Sequence, residues 1–204
     1  MNLRKLSLTL LLTLTLLLAG CQSGNNAGNT GAANDTGNVA ENTAGDTAEN
    51  TAGDTTDVSG PIAEGDAYRD FTVTLADGSE FTLSDHEGKV ILLNFWATWC
   101  GPCVGEMPAF EKIQETYGED LVLLAVNSGE DEETVTSFLE ENGYTFPVAL
   151  DPNYDVALLY PSDSIPYTVI IGTDGKVAAI QLGAADADTM YTHYCELIDG
   201  LLEE

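Results

Sequence analysis

Positive charge is what this sequence has least of. Against 34 Asp and Glu it carries 6 Lys and Arg, a formal net charge of −28. From Pro61 onward the basic residues are Arg69, Lys89, Lys112 and Lys176 alone. So acidic a chain repels polyphosphate and has no basic stripe to release counterions from DNA or RNA. Attraction to anionic lipid headgroups fails on the same ground. Aromatic residues are missing from the first third, because the 8 Tyr, 6 Phe and 2 Trp all fall between Tyr68 and Tyr194. Only residues 61–204 can therefore build a core, and a segment of that length suits a single domain. Long apolar runs are missing too. The longest, Leu6 to Ala19, falls short of the roughly 20 residues that a transmembrane helix needs.

That run has a different reading. Arg4 and Lys5 precede it, and it ends Leu18-Ala19-Gly20-Cys21. A basic start, a short apolar stretch and small residues before a cut are the parts of a secretory signal. The Cys directly after the small residues resembles the bacterial lipoprotein signal. That resemblance implies a signal peptide over 1–20, cleavage before Cys21 and diacylglycerol on its sulfur; two acyl chains anchor stably where one is marginal. Residues 22 to 60 contain no Lys, Arg or aromatic residue, and an octad, Ala40 to Thr47, is repeated as Ala48 to Thr55. Copies this polar have no face to bury. The segment 21–60 reads as a disordered acidic tether, spanning on the order of 34 Å as a random coil.

In the body, Phe71 to Leu75 alternates, Ala76-Asp77-Gly78-Ser79 turns, and Phe81-Thr82-Leu83 returns: a β-hairpin pattern. Val90 to Trp96 is a nearly continuous apolar run, as in a buried central strand. A helix is expected from Cys100 to about Tyr117, with Pro108 as a kink. Leu121 to Val126 reads as a second buried strand. Glu130 to Glu133 crowd the start of the next helix, where its dipole favours them, and Val135, Phe138 and Leu139 form its apolar stripe. Phe146 to Leu150 reads as a short strand, and Tyr167 to Ile171 with Val177 to Gln181 as a second hairpin. A last helix over about Asp188 to Leu202 spaces Met190, Tyr194, Leu197 and Leu201. The order predicts an α/β domain, a mixed sheet with helices on both faces.

The chemistry lies in Trp99-Cys100-Gly101-Pro102-Cys103, directly after the buried strand. A Cys at a helix N-terminus faces unpaired N–H groups and the positive end of the dipole, so its thiolate is stabilised. Pro102 fits the first helical turn, where a missing N–H costs nothing. Cys103 lies one turn on, close enough to form a disulfide or to resolve a mixed one. The other reading of a C-x-x-C is half a zinc site. Completing it would need His193 and Cys195, which point to different faces of a helix; no metal is expected. Cys195 reads as a small buried residue beside Tyr191 and Ile198. His86, in a polar loop, reads as solvated.

Asn94-Phe95-Trp96-Ala97-Thr98-Trp99-Cys100-Gly101-Pro102-Cys103, followed by Glu106-Met107-Pro108, resembles the thioredoxin superfamily. Within it, the chain is similar to the membrane-tethered TlpA/ResA-like thiol-disulfide oxidoreductases. Val126-Asn127, Phe146-Pro147 and Ile165-Pro166 extend the likeness along the body. The resemblance implies a thioredoxin-like fold, a central mixed sheet flanked by helices with an extra N-terminal hairpin. It also implies a Cys100–Cys103 redox disulfide and a cis Pro166 facing it. Trp99, Gly101, Pro102, Ile165 and Pro166 would then line a substrate groove, with the substrate backbone pairing to Ile165. Asn94 stands where thioredoxin itself has a buried acid, and the ResA likeness implies that Glu106 instead is a partly buried carboxylate assisting proton transfer. The alternative for Glu106 is a solvated first-turn acid favoured by the dipole. Two departures, the Tyr160-to-Ile165 lead and Tyr167 in place of a small Thr, are expected to alter the groove.

The resulting expectation is an extracytoplasmic, lipid-anchored, monomeric reductase of protein disulfides, supplied with electrons by a membrane thiol donor. Apocytochrome c is the family's best-known substrate class. The cysteines carry the electrons themselves, so no organic cofactor is expected. Three other activities share these features: a thiol peroxidase, a disulfide-forming oxidant and a non-catalytic surface-binding lipoprotein.

Overall fold

The computed structural model describes residues 60–203. The signal peptide expected over 1–20, the lipidation expected at Cys21 and nearly all of the tether expected over 21–60 lie outside the described residues. Strands β1 (Thr72–Thr74) and β2 (Glu80–Thr82) form a small antiparallel sheet of their own. Next come β3 (Val90–Trp96), α1 (Gly101–Tyr117), β4 (Leu121–Ser128), α2 (Glu132–Asn142) and β5 (Val148–Asp151). A long connection leads to β6 (Tyr167–Ile171), β7 (Val177–Leu182) and α3 (Ala187–Leu202). The main sheet has the order β5-β4-β3-β6-β7, with β3, β4 and β5 parallel and both β6 pairings antiparallel.

The first hairpin is shorter than its sequence alternation suggests. Leu75 leaves β1 to bridge Ala149, and Leu83 opens a 3₁₀ turn ending at His86. His86 is half-buried and only partly solvated: its ring stacks on Phe81, centroids 4.6 Å apart.

Helices do not cover both faces of the sheet. Alternation in β3 sends Val90, Leu92 and Trp96 to one side and Ile91, Leu93 and Phe95 to the other. The first side is packed by Phe110 of α1, Val135 of α2 and Tyr194 of α3. The second side is covered by Ile62, Phe71, Phe81, Leu83, Val156 and Tyr160. The reason is handedness. The crossovers β3–α1–β4 and β4–α2–β5 step across the sheet in the same direction, and right-handed connections then place both helices on the same face. The return path from β5 to β6 crosses the opposite face. It is fastened there by the buried Asp151 carboxylate, which accepts from the N–H groups of Val156 (3.2 Å) and Ala157 (2.9 Å).

Candidate active site

All seven residues of β3 are buried, so this central strand runs through the core and ends where the Cys100 turn begins. The chain then turns, with the Cys100 N–H donating to the Ala97 carbonyl at 3.1 Å. Cys100 is the N-cap of α1 rather than its first residue, and its extended backbone aims its Sγ back at the helix start. The Cys103 N–H donates to that sulfur at 3.3 Å. Pro102 sits in the first turn, and no acidic residue shares that turn to oppose a thiolate. Cys100 and Cys103 are joined in a disulfide with Cα atoms 5.2 Å apart. Cys100 is 5% exposed and Cys103 1%, while the neighbouring Trp99 stands 72% exposed. A substrate thus meets an indole and the outer sulfur first.

Glu106 is not a solvated first-turn acid. It lies in the second turn of α1 and is fully buried. Its carboxyl accepts from Asn94 Nδ2 of β3 at 3.1 Å and from the Tyr194 hydroxyl of α3 at 3.0 Å. Thr168 of β6 closes the ring, its hydroxyl 2.9 Å from Asn94 Nδ2 and 3.0 Å from the Tyr194 oxygen. Burial pushes the Glu106 carboxyl up to about 7, against the opposing pull of the Tyr194 and Asn94 hydrogen bonds. Burial and the Glu106 charge together hold the Tyr194 hydroxyl well above the usual phenol range, so it stays a donor. The arrangement is a carboxyl that can hold or release a proton near neutral pH, one helical turn beyond Cys103.

The Ile165–Pro166 bond is cis. Pairing of Tyr167 with Phe95 brings this bond to the end of β3 from which the Cys100 turn departs, and Ile165 packs against the cluster that contains both cysteines. The Pro166 carbonyl is taken by the Gly183 N–H at 2.8 Å; among the described residues no hydrogen bond is made to the Ile165 N–H or carbonyl. An extended substrate would find a free donor and acceptor there. Gly101 and Pro102 are exposed on the same approach. Tyr167 lines a cavity together with Ile165 and Tyr160. It belongs to the opposite face, where it stacks on Phe95 with centroids 5.7 Å apart.

Two further expectations need correction. Cys195 is half-buried rather than buried, a free thiol whose backbone carbonyl accepts from the Tyr117 hydroxyl at 3.4 Å. Glu130 does not decorate a helix start. Asp131 caps α2, accepting from the Thr134 N–H at 2.8 Å, and Glu130 turns instead toward Thr98. Sequence reasoning missed Thr168 and the partnership of Tyr194 with Glu106. The only signal was a Tyr on the apolar stripe of α3, since a buried phenol needs a hydrogen-bond partner.

Comparison with known proteins agrees with this geometry. The Redoxin family model matches residues 63–193. The thiol-disulfide oxidoreductase ResA of Geobacillus kaustophilus is 38% identical over 133 residues, covering 65% of this chain and 76% of the relative. The thioredoxin-like protein YneN of Bacillus subtilis is 38% identical over 125 residues, covering 60% and 73%. Among solved structures, one from Chlorobium tepidum, provisionally identified as the thiol:disulfide interchange protein DsbE, superposes with a TM-score of 0.63. It is 31% identical, with 69% of this chain and 99% of that one covered.

Proposed function

We propose, for a chain that belongs to the Redoxin family and is a TlpA/ResA-like thiol-disulfide oxidoreductase of the thioredoxin superfamily, that it reduces protein disulfides at the outer face of a membrane. The observation that supports thiol-disulfide chemistry is the cysteine pair itself, with its outer sulfur at the start of α1 and a neutral-pH carboxyl buried behind it. In the reduced protein the Cys100 thiolate attacks one sulfur of a substrate disulfide. The Cys100–substrate bond forms, the substrate S–S bond breaks, and the departing thiolate takes a proton. Cys103 then attacks the Cys100 sulfur, releasing the second substrate thiol and restoring the disulfide. Two electrons and two protons pass to the substrate, and a membrane thiol donor returns them. Glu106 supplies and recovers a proton at the pair. Trp99, Gly101, Pro102, Ile165 and Pro166 form the groove, where the substrate backbone pairs with Ile165. The protein acts as a monomer.

The test is insulin reduction combined with a redox titration of the Cys100–Cys103 pair against glutathione. The expected potential lies nearer the value of about −270 mV typical of thioredoxin than the roughly −120 mV of a strong oxidant. A value near the latter would make the protein a disulfide-forming oxidant. Hydrogen peroxide consumption would make it a thiol peroxidase, and failure to reduce insulin a binding lipoprotein.

Anchoring rests on Cys21 and its flanking residues. Mass spectrometry of the native protein should find diacylglycerol on Cys21 at the mature N-terminus. Cys21→Ala should move the protein from the membrane to the soluble fraction; persistence at the membrane would remove the lipid anchor from the reading.

A further inference from the structure

Glu130 lies in the turn between β4 and α2, in a different element from the cysteine pair, yet its carboxylate is spent on the loop that carries Cys100. Oε2 accepts from the Thr98 N–H at 2.7 Å and Oε1 from the Thr98 hydroxyl at 2.5 Å. Oε2 also accepts from Asn127 Nδ2 at 2.8 Å, and the Asn127 side chain is fully buried on β4, paired in register with Trp96. The residue so gripped, Thr98, is followed by the exposed Trp99 and then Cys100. The base of the grip is itself held. The Gly129 N–H donates to the Asp151 carbonyl at 2.9 Å, and at φ +82° Gly129 adopts backbone that side chains rarely take. A Cβ on Gly129 would also collide with the Tyr154 ring, so this turn conformation requires glycine.

We propose that Glu130 is a positioning residue that keeps the Ala97-to-Cys100 turn in its helix-start geometry when the disulfide is open. In the oxidised protein the Cys100–Cys103 bond already fixes Cys100 against α1. On reduction that covalent tie is lost. What then holds Cys100 is the Cys100-to-Ala97 and Val104-to-Cys100 backbone bonds and the three hydrogen bonds of Glu130 on and behind Thr98. Charge-assisted bonds of this kind are roughly twice as strong as neutral ones. Losing them therefore costs the reduced form more than the oxidised form. The thiolate, no longer aimed at the free N–H groups of α1, also loses part of its stabilisation.

The inference rests on Cys100 being the attacking thiol, which trapping with Cys103→Ala tests separately; the measurement for Glu130 compares redox equilibria and does not depend on a substrate. Glu130→Ala should shift the glutathione equilibrium about tenfold toward the disulfide, which is about 30 mV. It should slow alkylation of Cys100 at pH 7 by a similar factor, and lower the melting temperature of the reduced protein more than that of the oxidised protein. Glu130→Gln should restore most of each effect. Its carbonyl can accept from the Thr98 N–H and Asn127, and its NH₂ can donate to the Thr98 hydroxyl once that group rotates. Thr98→Val, which deletes only the hydroxyl contact, should shift the equilibrium in the same direction by less, and serves if Glu130→Ala does not fold. Equal destabilisation of both redox states with an unchanged potential would reduce Glu130 to a structural tie. A Gln variant as impaired as the Ala variant would assign its effect to charge rather than position; either result overturns the proposal.

Discussion

Cys103→Ala should accumulate mixed disulfides through Cys100, whereas Cys100→Ala should trap few or none, and each should lose turnover by at least about a thousandfold. The asymmetry follows from the two environments. Cys100 caps α1, accepts the Cys103 N–H on its sulfur and faces a first turn free of acid. Cys103 is inside the helix and 1% exposed against 5% for Cys100, so a bulky disulfide reaches only the outer sulfur. A thiolate stabilised at a helix start attacks faster at neutral pH because more of it is ionised. Cys103 needs no such access, since its target is the adjacent Cys100 sulfur. The measurement is gel separation of trapped species under non-reducing conditions. Equal trapping by the two variants would contradict the helix-start argument.

Glu106→Gln should fold, lower the Cys100 pKa, change the pH–rate profile of disulfide reduction and flatten part of the pH dependence of stability. The sign follows from burial. The Glu106 carboxyl is pushed up to about 7 in the fold from the ordinary 4.5 of a solvated glutamate. The folded state thus favours the protonated form, and its stability is greatest below about 4.5. Stability is lost from about 4.5, where the unfolded chain begins to ionise, until pH has risen through about 7, where the folded chain too must carry a buried charge. A shift of this size corresponds to about 3 kcal/mol at pH 8. Glutamine carries no charge at any pH and can keep its carbonyl toward Asn94 and its NH₂ toward the Tyr194 oxygen, with that hydroxyl donating to Thr168. Parent and variant should therefore be similarly stable at pH 4, and the variant more stable at pH 8. Denaturant titrations across that range read the difference directly. The thiol effect has the same origin, because an ionised Glu106 opposes a nearby thiolate. If stability and cysteine titration both overlay the parent's, the buried carboxyl has no part in the chemistry.

Much of this was legible in the linear order of residues, because it depends on neighbours within one strand or one helical turn. The apolar run Val90 to Trp96, broken only by Asn94, meant a strand buried on both faces, and it is one. Cys100 and Cys103, spaced by one turn around a Pro, meant a reactive pair at a helix start. What the tertiary structure alone decided is everything set by distance along the chain. That α1 and α2 pack on one face follows from the direction of two crossovers, which hydrophobic periodicity does not encode. Glu106 became a buried proton-holding group because Tyr194, 88 residues on, and Asn94 reach its two oxygens. Glu130 looked like one of four dipole-favoured acids, and it grips Thr98, 32 residues earlier, because β3 and β4 lie side by side in parallel register. Local sequence determined which residues carry the chemistry; sheet order and packing determined which distant groups set their protons and hold them in place.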